Sequence, residues 1–230
     1  MNNSSVVLVT GASSGLGLEI VQRIAASGRC VVGVSRHQPS DERVLALQKS
    51  GLLHYFVGDI SREADVRQAV AQATSLGNYN VLINCAGQAV FGPCEAYSAE
   101  DVGTVFAANL CGLILCCVNS LKRFQSMGGT VINIMSTAAH VGRANETVYC
   151  AAKWGARGYT EALRIELKGK PVRVIAVYPG GMKTNFWKTA KGHNVNPDKF
   201  MDPSEVADEI VALLSQKKTI QVTDITINRS

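Results

Sequence analysis

A chain of 230 residues, 47% hydrophobic and 18% charged, suits one well-cored α/β domain over residues 1–230. Its net charge of +5 is modest and its basic residues are scattered, with Lys217-Lys218 a short exposed pair. No nucleic-acid partner is expected, because such an interface needs a basic stripe interleaved with aromatics. No membrane is expected either, because no apolar run approaches the ~20 residues of a bilayer span. Met1-Asn2-Asn3-Ser4-Ser5 lacks a basic n-region, and Val6–Val9 is too short for a signal peptide, so a cytoplasmic protein is expected. The seven cysteines (30, 85, 94, 111, 116, 117, 150) contain no CxxC pair, which fits free thiols in a reducing compartment and no metal site.

Short β-branched runs alternate with longer amphipathic segments along the chain. Strands are expected at Val6–Thr10, Cys30–Ser35, Leu53–Val57, Val81–Asn84, Thr130–Met135, Val172–Tyr178 and Ile220–Ile227. Helices are expected near 15–27, 41–50, 62–75, 98–125, 146–168 and 203–215. Ser98 with Asp101 resembles a capping box, and Asp202-Pro203-Ser204-Glu205 reads as a helix start. Strands that are apolar throughout and separated by helices predict a doubly wound parallel sheet with helices on both faces. The longest patternless stretch, 184–202, follows a strand at the sheet edge where ligands bind in such folds, so it is expected to act as a lid.

The first strand runs into Thr10-Gly11-Ala12-Ser13-Ser14-Gly15-Leu16-Gly17 and then a helix. Glycines there permit a tight turn and close approach of backbone to a pyrophosphate at a helix N-terminus. After the second strand the chain reads Val34-Ser35-Arg36-His37, without the acid that holds the ribose hydroxyls of NAD. Arg36, with Ser35 beside it, can pair with a 2′-phosphate, which points to NADP(H). Asp59, after the third strand, is a candidate acceptor for an adenine amine or a cap for the next helix. Tyr149 and Lys153 stand four residues apart on one predicted helix, hence on one face. A cation beside a phenol is expected to lower its pKa and suit it to proton transfer.

With Thr10-Gly-x-x-x-Gly-x-Gly17, Asn84-Cys-Ala-Gly87, Asn109, Ser136, Tyr149-x-x-x-Lys153 and Pro179-Gly180 with Thr184 in this order, the chain resembles the classical short-chain dehydrogenase/reductase (SDR) family over nearly its whole length. The resemblance implies a seven-stranded parallel sheet in order 3-2-1-4-5-6-7 and hydride transfer to or from a nicotinamide. It implies a catalytic tetrad of Asn109, Ser136, Tyr149 and Lys153. Tyr149 would protonate the oxyanion formed as hydride arrives, and Ser136 would polarise the carbonyl. Lys153 would lower the tyrosine pKa and bind the nicotinamide ribose, and Asn109 would hold a water extending the relay. Cofactor contacts are expected from Gly11, Ser13, Ser14, Gly15, Leu16, Gly17, Ser35, Arg36, Asp59, Ile60, Asn84, Ala86, Gly87, Tyr149, Lys153, Pro179, Gly180, Met182 and Thr184.

Cys85 replaces the family's commoner second asparagine and is expected to leave one polar sheet contact unmade. Pocket residues are expected in 89–93, 138–143 and 181–189, with Phe91, Ser136, His140, Tyr149, Phe186 and Trp187 touching a small, largely apolar carbonyl compound. The apolar helices 98–125 and 146–168 (Val105, Phe106, Leu113, Leu115, Val118, Leu121) correspond to the family's dimer interface. The chain ends at Asn228-Arg229-Ser230 without the Gly-Gly-containing tail of many family tetramers, so a homodimer is expected ahead of a homotetramer. The expected activity is NADPH-dependent carbonyl reduction, reversible as alcohol oxidation. An NAD(P)-dependent alcohol, sugar or steroid dehydrogenase is the alternative, and a non-catalytic nucleotide sensor is the rival from another class.

Overall fold

Apolar side chains alternate across the first strand, and the alternation assigns them to two cores. In the computed structural model, which describes residues 5–39, 41–189, 196–216 and 219–230, Val6 and Leu8 face one side of the sheet and Val7 and Val9 the other. The strands are β1 (Ser5–Thr10), β2 (Cys30–Ser35), β3 (Leu53–Val57), β4 (Asn78–Asn84), β5 (Gly129–Ile134), β6 (Val172–Pro179) and β7 (Asp224–Ile227). They form one parallel sheet in the order β3-β2-β1-β4-β5-β6-β7, as expected.

Helices cover both faces. On one side lie α1 (Gly15–Ala26), α2 (Glu42–Lys49) and α8 (Pro203–Ala212), whose Ile20, Ile24, Val44 and Ile210 are fully buried against the sheet. On the other lie α3 (Glu63–Ser75), α4 (Ala99–Phe106), α5 (Gly112–Met127) and α6 (Thr147–Glu166), which bury Val66, Leu113, Phe124 and Leu163. The capping box forms, with the Ser98 hydroxyl accepting from the Asp101 N–H and the Asp101 carboxylate accepting from the Ser98 N–H, 3.1 Å in both cases. Asp202 caps α8 through the Ser204 N–H, with Pro203 at the first helical position.

Three elements differ from the sequence reading. The expected helix 98–125 is broken by a π turn at Ala107–Cys111 between α4 and α5. A widened turn of this kind is frequent at functional sites. β7 begins at Asp224 rather than Ile220, because only Ala176–Pro179 of β6 pairs with it. Arg164 meanwhile occupies the Thr223 carbonyl with a 2.6 Å hydrogen bond. β4 begins three residues early, where polar-looking Asn78-Tyr79-Asn80 conceals a fully buried Tyr79 bonded to Ser120 at 2.6 Å.

Contrary to the sequence expectation, one helical stretch, Ala99–Met127, is long and apolar enough by length and composition to cross a membrane. Its inner face is core against β4 and β5. All seven cysteines are free. Lys217-Lys218, Met1–Ser4 and positions 190–195 of the expected lid lie outside the described residues.

The strand order reverses between β2-β1 and β4-β5, so the connections after β1 and β4 leave in opposite directions and open a crevice at the carboxyl ends. The site residues lie along that crevice.

Candidate active site

A cleft of about 690 Å3 runs along the carboxyl edge of the sheet. Its floor at the β1–α1 junction is the glycine turn. Gly11 (φ +70°) and Gly15 (φ +53°) adopt the left-handed conformation that favours glycine. A Cβ on Gly11 would meet the Ala86 backbone at 2.8 Å, and one on Gly17 would overlap the Gly11 carbonyl oxygen at 2.1 Å. The N-terminus of α1 has no side-chain cap and no acid in its first turn, so its amides are open to an anion. This arrangement fits the pyrophosphate of a dinucleotide. Ser13, Ser14, Leu16, Ile60, Ala86, Pro179, Gly180, Met182 and Thr184 line the same cleft.

At the far end Ser35, Arg36 and Asp59 line the cleft, with Arg36 exposed. Ser35 Oγ donates to the His37 carbonyl at 2.7 Å and bonds the Tyr55 hydroxyl, which shapes the turn that presents Arg36. Asp59 does not cap α3, whose cap position is Arg62; instead it closes its own turn by accepting from the Ser61 N–H at 2.9 Å.

The reacting end is built from β5, α6 and the π turn. Ser136 lies two residues beyond β5 as the cap of a 3₁₀ turn (Thr137–Ala139), and its Oγ accepts from the Ala138 N–H at 3.1 Å. The Ser136 hydroxyl also hydrogen-bonds the Tyr149 side chain. Tyr149 and Lys153 occupy successive turns of α6, both buried, with Lys153 Nζ 5.7 Å from the tyrosine ring centroid. Lys153 Nζ donates to the Ile134 carbonyl at 3.3 Å.

Burial pushes the Tyr149 phenol well above its ordinary range; the Ser136 hydrogen bond and Arg143 pull it down, while Glu146 pushes it further up. The sequence expectation of a phenol lowered by Lys153 is therefore reversed among the protein's own groups, because desolvation outweighs the Ser136 hydrogen bond and Arg143. Burial also lowers the Lys153 ammonium to about 8.

Asn109 sits in the π turn, fully buried. Its Nδ2 donates to the carbonyls of Gln88 at 2.5 Å and Val105 at 2.8 Å, which fixes the amide orientation. Its Oδ1 is a buried acceptor with no hydrogen-bond partner among the described residues. A Cβ on Gly87 would lie 3.0 Å from that oxygen and 3.7 Å from Lys153 Nζ.

Several residues stand elsewhere than expected. Asn84 does not line the cleft: its Nδ2 donates to Asn133 Oδ1 at 2.9 Å, tying β4 to β5 inside the core. Asn133 continues to Thr160 at 2.9 Å, so the sheet has its polar tie beside Cys85. Thr10 Oγ1 accepts from the N–H groups of Cys85 and Ala86, and the Cys85 side chain packs against the core, where burial pushes its thiol up to about 12. His140 is turned away from the cleft, its ring 4.1 Å from that of Tyr178 and its Nδ1 3.0 Å from Arg157 Nη1.

Phe91 backs the wall rather than lining it, edge-on to Tyr149 with ring centroids 5.7 Å apart. Phe186 and Trp187 do line the cleft. They lie on a helical turn, α7 (Phe186–Thr189), within the stretch read as patternless, and Trp187 Nε1 anchors to the Met182 carbonyl at 2.9 Å. Glu146, buried and lining the cleft beside Tyr149, was missed by the sequence reading; its place three residues before the tyrosine was the available signal.

The model of the family described as short chain dehydrogenase matches residues 5–194. A D-threitol dehydrogenase of Mycolicibacterium smegmatis is 32% identical over 93% of this chain and 86% of its own. Among solved structures, a short-chain dehydrogenase/reductase from Vibrio parahaemolyticus is 33% identical, with TM-score 0.82 over 97% of this chain and all of that one. A closed form of serine dehydrogenase complexed with NADP+ is 26% identical, with TM-score 0.85 over 97% of this chain and 94% of its own.

Proposed function

The chain belongs to the short-chain dehydrogenase family, and on that premise we propose that it transfers hydride between NADP(H) and a small carbonyl compound, with alcohol oxidation as the reverse. The observation that carries this reading is the meeting of Ser136, Tyr149 and Lys153 at one end of a cleft floored by the Gly11–Gly17 turn. When bound there, the cofactor supplies or accepts the hydride.

The protein's own groups handle the oxygen and its proton. Tyr149, held protonated by burial, donates to the substrate oxygen as negative charge builds on it, and Ser136 directs its hydroxyl hydrogen to the same atom. Lys153 stabilises the phenolate left behind, and a water held by Asn109 Oδ1 returns the proton. Arg36 receives the 2′-phosphate that distinguishes NADP from NAD.

The exposed apolar side chains Val102 and Val118 on α4 and α5, with Trp154 and Ile165 on α6, form the face for a second copy of the chain. Of the residues read as that face from sequence, Val105, Leu113 and Leu121 are core, and Val118 is exposed. Alcohol or polyol oxidation is the second reading, favoured by the similarity to a D-threitol dehydrogenase. A nucleotide sensor has no use for a Ser136–Tyr149–Lys153 proton relay.

The test is a screen of aldehydes, ketones and diketones with NADPH and with NADH, following nicotinamide absorbance. Turnover by the wild type, lost in Tyr149→Phe with NADPH binding retained, is the expected result. Failure to oxidise either cofactor with any member of the panel overturns the reading.

A further inference from the structure

The reacting end of the cleft carries a polar corner opposite its aromatic wall. Glu146 and Arg143 both line the cleft beside Tyr149, while Phe186 and Trp187 face it from α7. Glu146 stands at the cap position of α6, three residues before Tyr149 and 6% exposed, but its side chain does not cap the helix. Both residues line the cleft, and the carboxylate is near enough to the phenol to act on it electrostatically.

The acid has a cation beside it. Arg143 Nη1 is 3.9 Å from Glu146 Oε2, and Arg143 Nη2 donates to Thr137 Oγ1 at 2.6 Å, beside Ser136. The N-terminus of the 20-residue α6 adds a favourable field for a negative charge. Between the two charged residues, Asn145 is the one non-glycine residue with positive φ (62°) among the described residues. Its carbonyl accepts from the Gly92 N–H at 2.8 Å and the Tyr97 hydroxyl at 3.1 Å. A strained backbone position pinned from two sides next to a reacting group is characteristic of a positioned functional residue.

We infer that Glu146 is a specificity-determining residue, accepting a hydrogen bond from a donor group, hydroxyl or ammonium, on the carbon next to the reacting carbon of the substrate. This rests on the carbonyl and alcohol chemistry proposed above for the same cleft. It narrows the substrate class from apolar carbonyls to α-hydroxy or α-amino carbonyl compounds and the corresponding vicinal diols or amino alcohols. A site that hydrogen-bonds a donor group of its substrate discriminates against an analogue that lacks that donor. The Phe186–Trp187 wall receives the remaining carbon skeleton.

The experiment compares matched pairs: acetone with hydroxyacetone, propanal with glyceraldehyde, and, in the oxidative direction, 2-propanol with 1,2-propanediol and 1-amino-2-propanol. Wild type is expected to favour the donor-bearing member by roughly ten- to a hundredfold in kcat/KM. The diol and amino alcohol arms tell a hydroxyl donor from an ammonium.

Glu146→Gln, which keeps the shape and one acceptor oxygen, should reduce the ratio several-fold, mainly through KM, and Glu146→Leu should abolish it. Equal turnover of paired compounds by wild type, or an unchanged ratio in Glu146→Gln with only a lower melting temperature, overturns the inference and leaves the oxidoreductase reading standing. If Glu146→Leu does not fold, the glutamine variant and the wild-type ratio still decide. Absence of turnover with every compound overturns both.

Discussion

Asn109 and Lys153 face each other across Gly87, each close to the point that a side chain there would occupy: 3.0 Å for Asn109 Oδ1 and 3.7 Å for Lys153 Nζ. Gly87 has an ordinary φ, so its small size, not its backbone, matters here. Gly87→Ala should therefore fold and yet insert a methyl group between the amide oxygen and the ammonium. A fall in kcat of roughly tenfold or more is expected, with little change in circular dichroism, since small misplacements at a proton relay are costly. A kcat equal to wild type would mean that the two groups do not work through this space.

Ser136 leads to a second prediction, separable from the first. Because its Oγ accepts from the Ala138 N–H, removing the hydroxyl takes away both a turn contact and the donor aimed at the substrate oxygen. Ser136→Ala is expected to lower kcat by roughly a hundredfold or more. Ser136→Thr keeps the hydroxyl and should recover a measurable part of it. If alanine and threonine lose the same amount of activity, the donor role is wrong and the residue serves only its turn.

Most of the sheet was legible because its strands are buried on both faces and read as continuous apolar runs rich in β-branched residues, as in Val6–Val9 and Val174–Val177. The start of β4 was not, since Asn78 and Asn80 carry turn-like side chains while the buried residue between them is a tyrosine. Ser136 and Asn109 were picked out by the family resemblance, whereas the placing of Tyr149 and Lys153 on one helix was legible from their spacing. Direction inside loops was not: His140 follows Ser136 closely in sequence, yet Arg157 and Tyr178 draw its ring to the other side. Asn84 misled for the complementary reason. Strand side chains alternate, and its own turn of the alternation points into the core toward Asn133. The π turn that presents Asn109 has no signature in a run of small and apolar residues.

Arg36 supplies a prediction about cofactor choice. It is exposed at the mouth of the cleft and makes no ion pair among the described residues, so its charge remains available to an incoming anion. Arg36→Asp should lower kcat/KM for NADPH by roughly tenfold or more by exchanging attraction for repulsion at a 2′-phosphate. The NADH value should hold or rise, because an acid there can accept from ribose hydroxyls. The same NADPH-to-NADH ratio in variant and wild type would remove Arg36 from cofactor discrimination.

Lys153 carries the last prediction, in which stability and activity move in opposite directions. Its ammonium is 4% exposed and burial lowers it to about 8, below its ordinary 10.5. Between these values the unfolded chain binds a proton that the native protein has released, so native stability gains as pH rises through the window. Below pH 8 both states are protonated and the full cost of burying the charge is present. Lys153→Met, similar in length and uncharged, should thus melt at a higher temperature than wild type at pH 7 in the absence of cofactor. The gap should shrink toward pH 10, where wild type is already neutral, and groups common to both proteins cancel in the difference. Turnover in the variant should be lost at every pH, since methionine cannot support the phenolate. A melting difference that does not change with pH, or a variant less stable than wild type at pH 7, would show that the lysine is not held at an electrostatic cost.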